Sequence, residues 1–340
     1  MKLLKIYAFS LICTFLIWAA AAIWGGPQAL FTVVVLTLLE ITFSADNAVV
    51  NSKVLVTLSP LWQKLFMTVG ILIAVFLVRF IVPIIIVCLT AQLGFMQVIN
   101  LALNDAHTYA HYLEIAAPAI NAFGGSFLLL IALSYFIDYE KHTHWLHWIE
   151  KRLGKLGKFD NLTTFVMLLG SILLYLTVQH EHQTAVLLAA ICAMALHSGL
   201  ELIDAAFEHQ GKKHLGKKVK TGIAGFVGFM YLQVLDASFS LDGVIGAFAI
   251  TSSVLLIMAG LGAGAVWVRA MTVHLVRTKA LDRYIYLEHG AHWAIAFLGA
   301  IMWLKLYHIE PPEWIVGSLG LGFILLAILW SKRFAPRHTL

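Results

Sequence analysis

Ten apolar segments, each 17 to 25 residues long, follow one another along this chain. They lie near 6–24, 29–50, 65–88, 120–138, 162–178, 184–204, 223–247, 252–276, 286–306 and 313–331. A helix of that length crosses the hydrocarbon core of a bilayer, about 30 Å thick. Ten of them leave no stretch long enough for a soluble domain. Composition agrees, with 61% hydrophobic and only 12% charged residues, where a soluble chain has about a quarter charged. The expected fold class is an all-α polytopic membrane protein of about ten transmembrane helices, forming one domain over 1–340. The formal charge of +5 does not point to nucleic acid, because basic residues in such a chain chiefly report orientation.

Orientation follows from those basic residues. With Lys2 and Lys5 placed in the cytoplasm, alternate loops carry 20 of the 23 Lys and Arg on the inner side. Lys305 sits at an outer helix end, and Arg79 and Arg269 fall within spans. Both termini are therefore expected in the cytoplasm, with the chain in a bacterial inner membrane. The N-terminal apolar run reads as an uncleaved first helix rather than a signal peptide, since about 19 residues are enough to span. The mixed stretch 90–113 is too polar to span and reads as an interfacial or re-entrant helix. Cys13, Cys88 and Cys192 show no metal-ligand spacing and read as small apolar filler.

Carboxylates interrupt this apolar pattern twice, in the same way. Residues 39–47 read LEITFSADN, and residues 235–243 read LDASFSLDG. The shared pattern is Leu, acid, any, Ser/Thr, Phe, Ser, any, Asp, Asn/Gly. The next apolar segments match as well, as GILIAVFLVR at 70–79 and GLGAGAVWVR at 260–269. Two matches in order indicate an internal duplication. Under the charge-derived topology the two copies run in opposite directions, which makes them inverted three-helix repeats. Repeat 1 covers 29–138 and repeat 2 covers 223–306. Connecting helices and basic loops occupy 139–222, and 307–340 is a C-terminal helix and tail. Inverted repeats are typical of secondary transporters, whose sites lie at the midplane between the halves.

Four intramembrane carboxylates cost roughly 10–14 kcal/mol on insertion scales. They need partners, and a bound cation, Arg79 and Arg269 are the candidates. In a straight helix Glu40, Ser44 and Asn47 share one face while Thr42 and Asp46 share another. Asp236, Ser240 and Gly243 repeat the first arrangement, with Ser238 and Asp242 on the other face. Both acids of a motif reach one ion only if the helix unwinds, so local unwinding is expected near Phe43–Asn47 and Phe239–Gly243. The donors are all hard oxygens, which suit Mn²⁺, Mg²⁺ or Ca²⁺ rather than copper or zinc. Four acids and two arginines sum to −2, matching one divalent cation. The i, i+3 pair His289 and His292, near an inner helix end, is a candidate proton relay. No nucleophile–base pair is visible and no enzyme activity is expected. No organic cofactor is expected either.

The two acidic motifs resemble those of the TerC-type integral membrane proteins, which are related to the LysE-like transporter superfamily. AQLGFMQVINLAL at 91–103, AFGGSFLLL at 122–130 and HGAHW at 289–293 resemble its longer branch. The resemblance implies export of divalent metal, chiefly manganese, and a link to tellurite resistance. It implies Glu40, Asp46, Asn47, Asp236 and Asp242 as metal ligands. Gly243 departs from the pattern, standing where many second motifs carry a polar residue. With the bilayer and the metal ion as expected partners and no nucleic acid, the chain is read as a Mn²⁺ exporter driven by proton exchange. The alternatives are an exporter of a small organic cation or amino acid, and a non-transporting partner in a metal or tellurite stress-response complex.

Overall fold

The computed structural model describes residues 2–334 apart from 140, 142, 160, 209–212, 215 and 216. Lys212 and Arg337, counted among the inner basic residues, lie outside that set. The described chain is almost entirely helical. Seven helices are long and apolar enough to cross a membrane by length and composition: Ile6–Phe43, Pro60–Ala91, Ala106–Phe136, Gln183–Ile203, Gly222–Ala247, Val254–Arg277 and Ile315–Phe334. These fit an integral membrane protein. In chain order the helices that build the centre are α1 (Lys2–Phe43), α2 (Ala45–Leu55), α3 (Pro60–Met67), α4 (Val69–Leu72), a π-helix (Ile73–Ile81) and α5 (Val82–Ala91). There follow α6 (Phe95–Asn104), α7 (Ala106–Phe136), α8 (His147–Leu156), α9 (Leu162–Thr177) and α10 (Gln183–Glu208). The chain ends with α11 (Gly222–Ala247), α12 (Val254–Arg277), α13 (Ala280–Arg283), α14 (Leu287–Lys305) and α15 (Glu313–Phe334).

The first long run is two arms, not one rod. Gly26 has φ 70 and ψ −165, outside the helical region. Glycine tolerates that conformation, and Pro27 beside it lacks the N–H that would continue the ladder. The Trp18 indole donates to Thr37 Oγ1 at 3.4 Å, whereas a straight helix would hold those residues roughly 28 Å apart. The chain therefore doubles back at Gly26. Both arms then clasp α12. The first is tied by Ser10 Oγ donating to the Val266 carbonyl at 3.2 Å and by Trp267 Nε1 donating to Thr14 Oγ1 at 2.9 Å. The second packs against Gly260 and Gly264, where a Cβ would collide with Leu36 and Glu40 respectively.

The expected ten apolar segments are all helical, but α9 has only 16 residues and α14 has 19, and neither is among the seven. The stretch 90–113 does not form one interfacial helix. It divides into the end of α5, the whole of α6 and the first turns of α7. Asp105 is the reason for the division, since its side chain accepts from the Thr108 N–H at 3.2 Å and from Thr108 Oγ1 at 2.7 Å. That cap starts a 31-residue helix, which continues through Pro118.

The main apolar core gathers Val49 and Val50 of α2, Phe127, Leu128 and Ile131 of α7, Leu235 and Phe239 of α11, and Ile295 and Met302 of α14. Gly124 and Gly125 on α7 leave room for Met302 and Trp303 of α14. The two central acidic motifs flank this core.

Candidate functional site

The first acid of each motif meets an arginine from the next apolar segment. Glu40, buried at the end of α1, accepts from Arg79 Nη2 at 2.5 Å and from Ser44 Oγ at 3.1 Å. Asp236, buried in α11, accepts from Arg269 Nη2 at 3.2 Å. Both arginines are buried as well. A buried charge of this kind is tolerable only when paired. The second arginine is held more fully. It also donates to the Phe66 carbonyl at 3.0 Å and to Gln233 Oε1 at 3.1 Å, and it lies over the Phe66 ring at 4.3 Å. Gly70 opposite leaves the space, since a Cβ there would sit 2.7 Å from Arg269 Nη1. Arg79 instead donates to the Ala74 carbonyl five residues back, at 2.9 Å, inside the π-helix.

Asp46 lies in the first turn of α2, where the helix dipole favours negative charge. Its Oδ1 accepts from the Asn47 N–H at 2.9 Å, and it makes no ion pair among the described residues. Asn47 is buried, and its Oδ1 has no hydrogen-bond partner. Ser240 is buried too, and Ser238 Oγ donates to the Val234 carbonyl at 3.0 Å. The side chain of Asp242 lies outside the described residues.

The expected unwinding is present in a small form in one motif and missing from the other. Ser44 leaves the helical region, with φ −102 and ψ 18. The bonds from Ser44 N–H to the Glu40 carbonyl (3.0 Å) and from Ala48 N–H to the Ser44 carbonyl (3.3 Å) persist. This is a kink rather than an opened strand. The α11 helix runs unbroken through Phe239–Gly243, so freed carbonyls there do not contribute donors. A single glycine in an apolar helix was not enough to melt it, because the i to i−4 bonds are the only partners available to its backbone in lipid.

The two motifs nevertheless meet. A cavity of about 80 Å³ is lined by Glu40, Ser44 and Asp46 from the first and by Phe239 and Gly243 from the second, with Lys305 of α14 also on its wall. A Cβ on Gly243 would stand 3.7 Å from Glu40 Oε2. Asn47, Asp236, Ser240, Arg79 and Arg269 are buried but do not line this cavity. About 80 Å³ has room for a few waters or one partly hydrated ion.

His289 and His292 stand apart from it, at the end of the bundle that carries Lys53 and Lys141. His289 Nδ1 is 2.6 Å from Glu150 Oε2, and His292 stacks on Tyr135 with ring centroids 3.7 Å apart. Glu150 of α8 is buried and also accepts from Trp293 Nε1 at 3.0 Å and from the Trp145 N–H at 3.0 Å. Burial alone would push its carboxyl up. The His289 hydrogen bond and charge, the Trp293 bond and the Lys141 charge outweigh that and hold it down, to about 2. Lys141 lies 3.7 Å from Glu150, and burial lowers its ammonium to about 8. Lys53 pairs with Glu288 nearby. A second cavity, of about 380 Å³, opens here and is lined by Val50, Lys53, Tyr135, Tyr231 and His292 among others.

Sequence reading missed Gln233, Glu150 and Asn51. Gln233 carries a usable signal, standing three residues before Asp236 on the same helical face. Glu150 sits in a charged connector and reads as solvated until the fold brings α14 over it.

A bundle of long apolar helices around paired buried charges is compatible with an integral membrane protein that has a polar centre. The chain belongs to the family described as Protein of unknown function (DUF475), which matches residues 45–338. No curated protein and no solved structure matches it.

Proposed function

We propose that this protein is a secondary exporter of hard divalent cations, with Mn²⁺ the first candidate and Ca²⁺ or Mg²⁺ close behind. The supporting observation is the cavity into which Glu40, Ser44 and Asp46 face, with the second motif forming its opposite wall. Its donors are carboxylate and hydroxyl oxygens, without thiolate or imidazole, a set that suits hard ions. Glu40 and Asp236 are already neutralised by Arg79 and Arg269. That leaves Asp46 and, from the sequence, Asp242 to balance a divalent charge. Lys305 on the wall offers a positive group that favours release once the cation is displaced.

The matching pairs Glu40–Arg79 and Asp236–Arg269 join residues that align between the two copies, which supports the duplication and the TerC-type resemblance. Ten crossings follow if α1 counts as two arms and α9 and α14 are added to the other long helices. Both termini then face the cytoplasm of a bacterial inner membrane, in keeping with the basic loops. Export of a cation against a negative-inside potential costs about 2.3 kcal/mol per charge per 100 mV, and proton exchange at the unpaired Asp46 supplies the coupling.

Saturable Mn²⁺ uptake into inside-out vesicles, lost in both Asp46→Asn and Asp242→Asn, is the expected result. Unchanged uptake in the two variants rejects the site. Loss of a copurifying protein with no Mn²⁺ movement in the wild type favours the stress-complex alternative instead.

A further inference from the structure

The connector between α7 and α9 holds a helix with two unlike faces. One face of α8 points inward. Glu150 and Gly154 are buried there, and Leu153 packs against the main core. The other face is exposed among the described residues and carries Trp148, Ile149 and Leu156 with Lys151, Arg152 and Lys155. At 100° per residue, Lys151 and Lys155 fall on one flank, Ile149 and Leu156 on the other, and Trp148 and Arg152 between them. Lys158 and Phe159 extend the pattern past the helix end, both exposed. Trp148 is 69% exposed and Phe159 66%. Glu150 is the one acid in α8 and it is buried, so the open face is cationic and apolar only.

The inward contacts fix the level at which α8 sits. Glu150 accepts from Trp293 Nε1 at 3.0 Å and meets His289 Nδ1 at 2.6 Å. Those residues follow Leu287, the first of α14, by about 9 and 3 Å along the axis. On the α7 side, a Cβ on Gly154 would stand 3.3 Å from the Asp138 carbonyl oxygen, and one on Gly157 would collide with the Ile137 carbonyl. The helix therefore lies beside the first two turns of α14 and against the end of α7, not beyond them. Since α7 is long and apolar enough to cross a membrane, its end marks the headgroup level. Arg152 lies over the Trp148 ring at 4.2 Å and Lys158 over the Tyr139 ring at 5.1 Å. Aromatic rings and snorkelling cations favour that layer. Separate apolar and basic flanks suit a helix lying in the interface plane, and the basic flank selects anionic lipid.

We propose that α8 and the turn after it, 147–159, form a docking surface for the anionic phospholipid headgroups of the inner leaflet. The apolar flank enters the acyl boundary, and Lys151, Arg152, Lys155 and Lys158 meet the phosphates. This rests on the membrane-spanning reading and is independent of the ion transported.

The test uses the full-length protein in two assays. In the first, native mass spectrometry in detergent measures the binding of phosphatidylglycerol and of phosphatidylcholine. At least tenfold higher affinity for phosphatidylglycerol is expected. Combining Lys151→Gln, Arg152→Gln, Lys155→Gln and Lys158→Gln is expected to lower that affinity at least tenfold. Equal binding of the two lipids by the wild type overturns the proposal, as does unchanged phosphatidylglycerol affinity in the monodisperse fourfold variant. In the second assay, Leu156→Cys carries an environment-sensitive dye in a Cys13→Ala, Cys88→Ala, Cys192→Ala background, in nanodiscs of both lipids. Quenching by a headgroup-nitroxide lipid at least threefold stronger than by a water-soluble nitroxide is expected. Quenching from the aqueous side alone overturns the proposal, and saturable capture of a polyglutamate peptide by the same protein then assigns the face to an acidic protein partner. If the fourfold variant does not fold, the dye at Leu156→Cys decides by itself.

Discussion

The first acidic motif and the second make the same ion pair in different surroundings. Glu40–Arg79 is strung between a kink at Ser44 and a π-helix at Ile73–Ile81. Asp236–Arg269 lies between two unbroken α-helices and is reinforced by Gln233, the Phe66 carbonyl and the Phe66 ring. The second pair is a brace. The other retains irregular backbone beside the cavity, and helix irregularities of this kind gather at functional positions. Motifs of shared pattern thus sit in different surroundings, and what lies around each arginine sets the difference.

Truncating the arginines is the strongest way to break that comparison. Removing one partner of a buried pair costs about 3–5 kcal/mol. Arg269→Ala is expected at the upper end, about 5 kcal/mol, and Arg79→Ala near the lower end, about 3 kcal/mol. Reversible unfolding in mixed micelles measures both, and equal losses would remove the distinction between the brace and the pair beside the cavity. Next in size is Gly264, which packs against Glu40. Gly264→Ala forces a Cβ into the Glu40 Cβ and Cγ, so a loss of about 1–3 kcal/mol is expected. Ser44→Ala deletes a bond to Glu40 and is expected to cost about 1 kcal/mol in the same assay. The smallest effect, opposite in sign, belongs to Gly243→Ala. Its Cβ would stand at ordinary contact distance from Glu40 Oε2, and replacing a mid-helix glycine gains up to about 1 kcal/mol. A stabilised Gly243→Ala protein with intact Mn²⁺ flux would mark that position as open space rather than a required gap.

The parts legible in the sequence were those written as local pattern. Apolar length gave the helices, and the aligned acids and arginines gave pairs that the fold joins within each copy. What stayed hidden depends on three-dimensional neighbours. The π-helix carries no composition signal in IAVFLVRFI, and its widening is visible only in the folded backbone, where the Val82 N–H reaches back five residues to the Leu77 carbonyl. The unwinding expected at Phe239–Gly243 failed because helix hydrogen bonds in an apolar medium outweigh the weakness of one glycine. His289 and His292 were legible as a pair, but their partners Glu150 and Tyr135 come from residues more than a hundred positions away. Asn51 stands beside Asp46, Asn47, Ser52 and Lys53 in α2, and nothing in that local pattern marks it as buried.

The clasp of α1 around α12 has a consequence for how the chain is made. Ser10 waits for Val266, 256 residues later. At a synthesis rate of 5–20 residues per second, the first hairpin spends roughly ten to fifty seconds in the membrane before its partner emerges. During that interval it must survive as an independent insertion unit, held by its own turn at Gly26 and by the Trp18–Thr37 bond. Assembly of the polar centre is thus timed by translation, and Glu40 meets Gly264 only when the last third of the chain is being inserted.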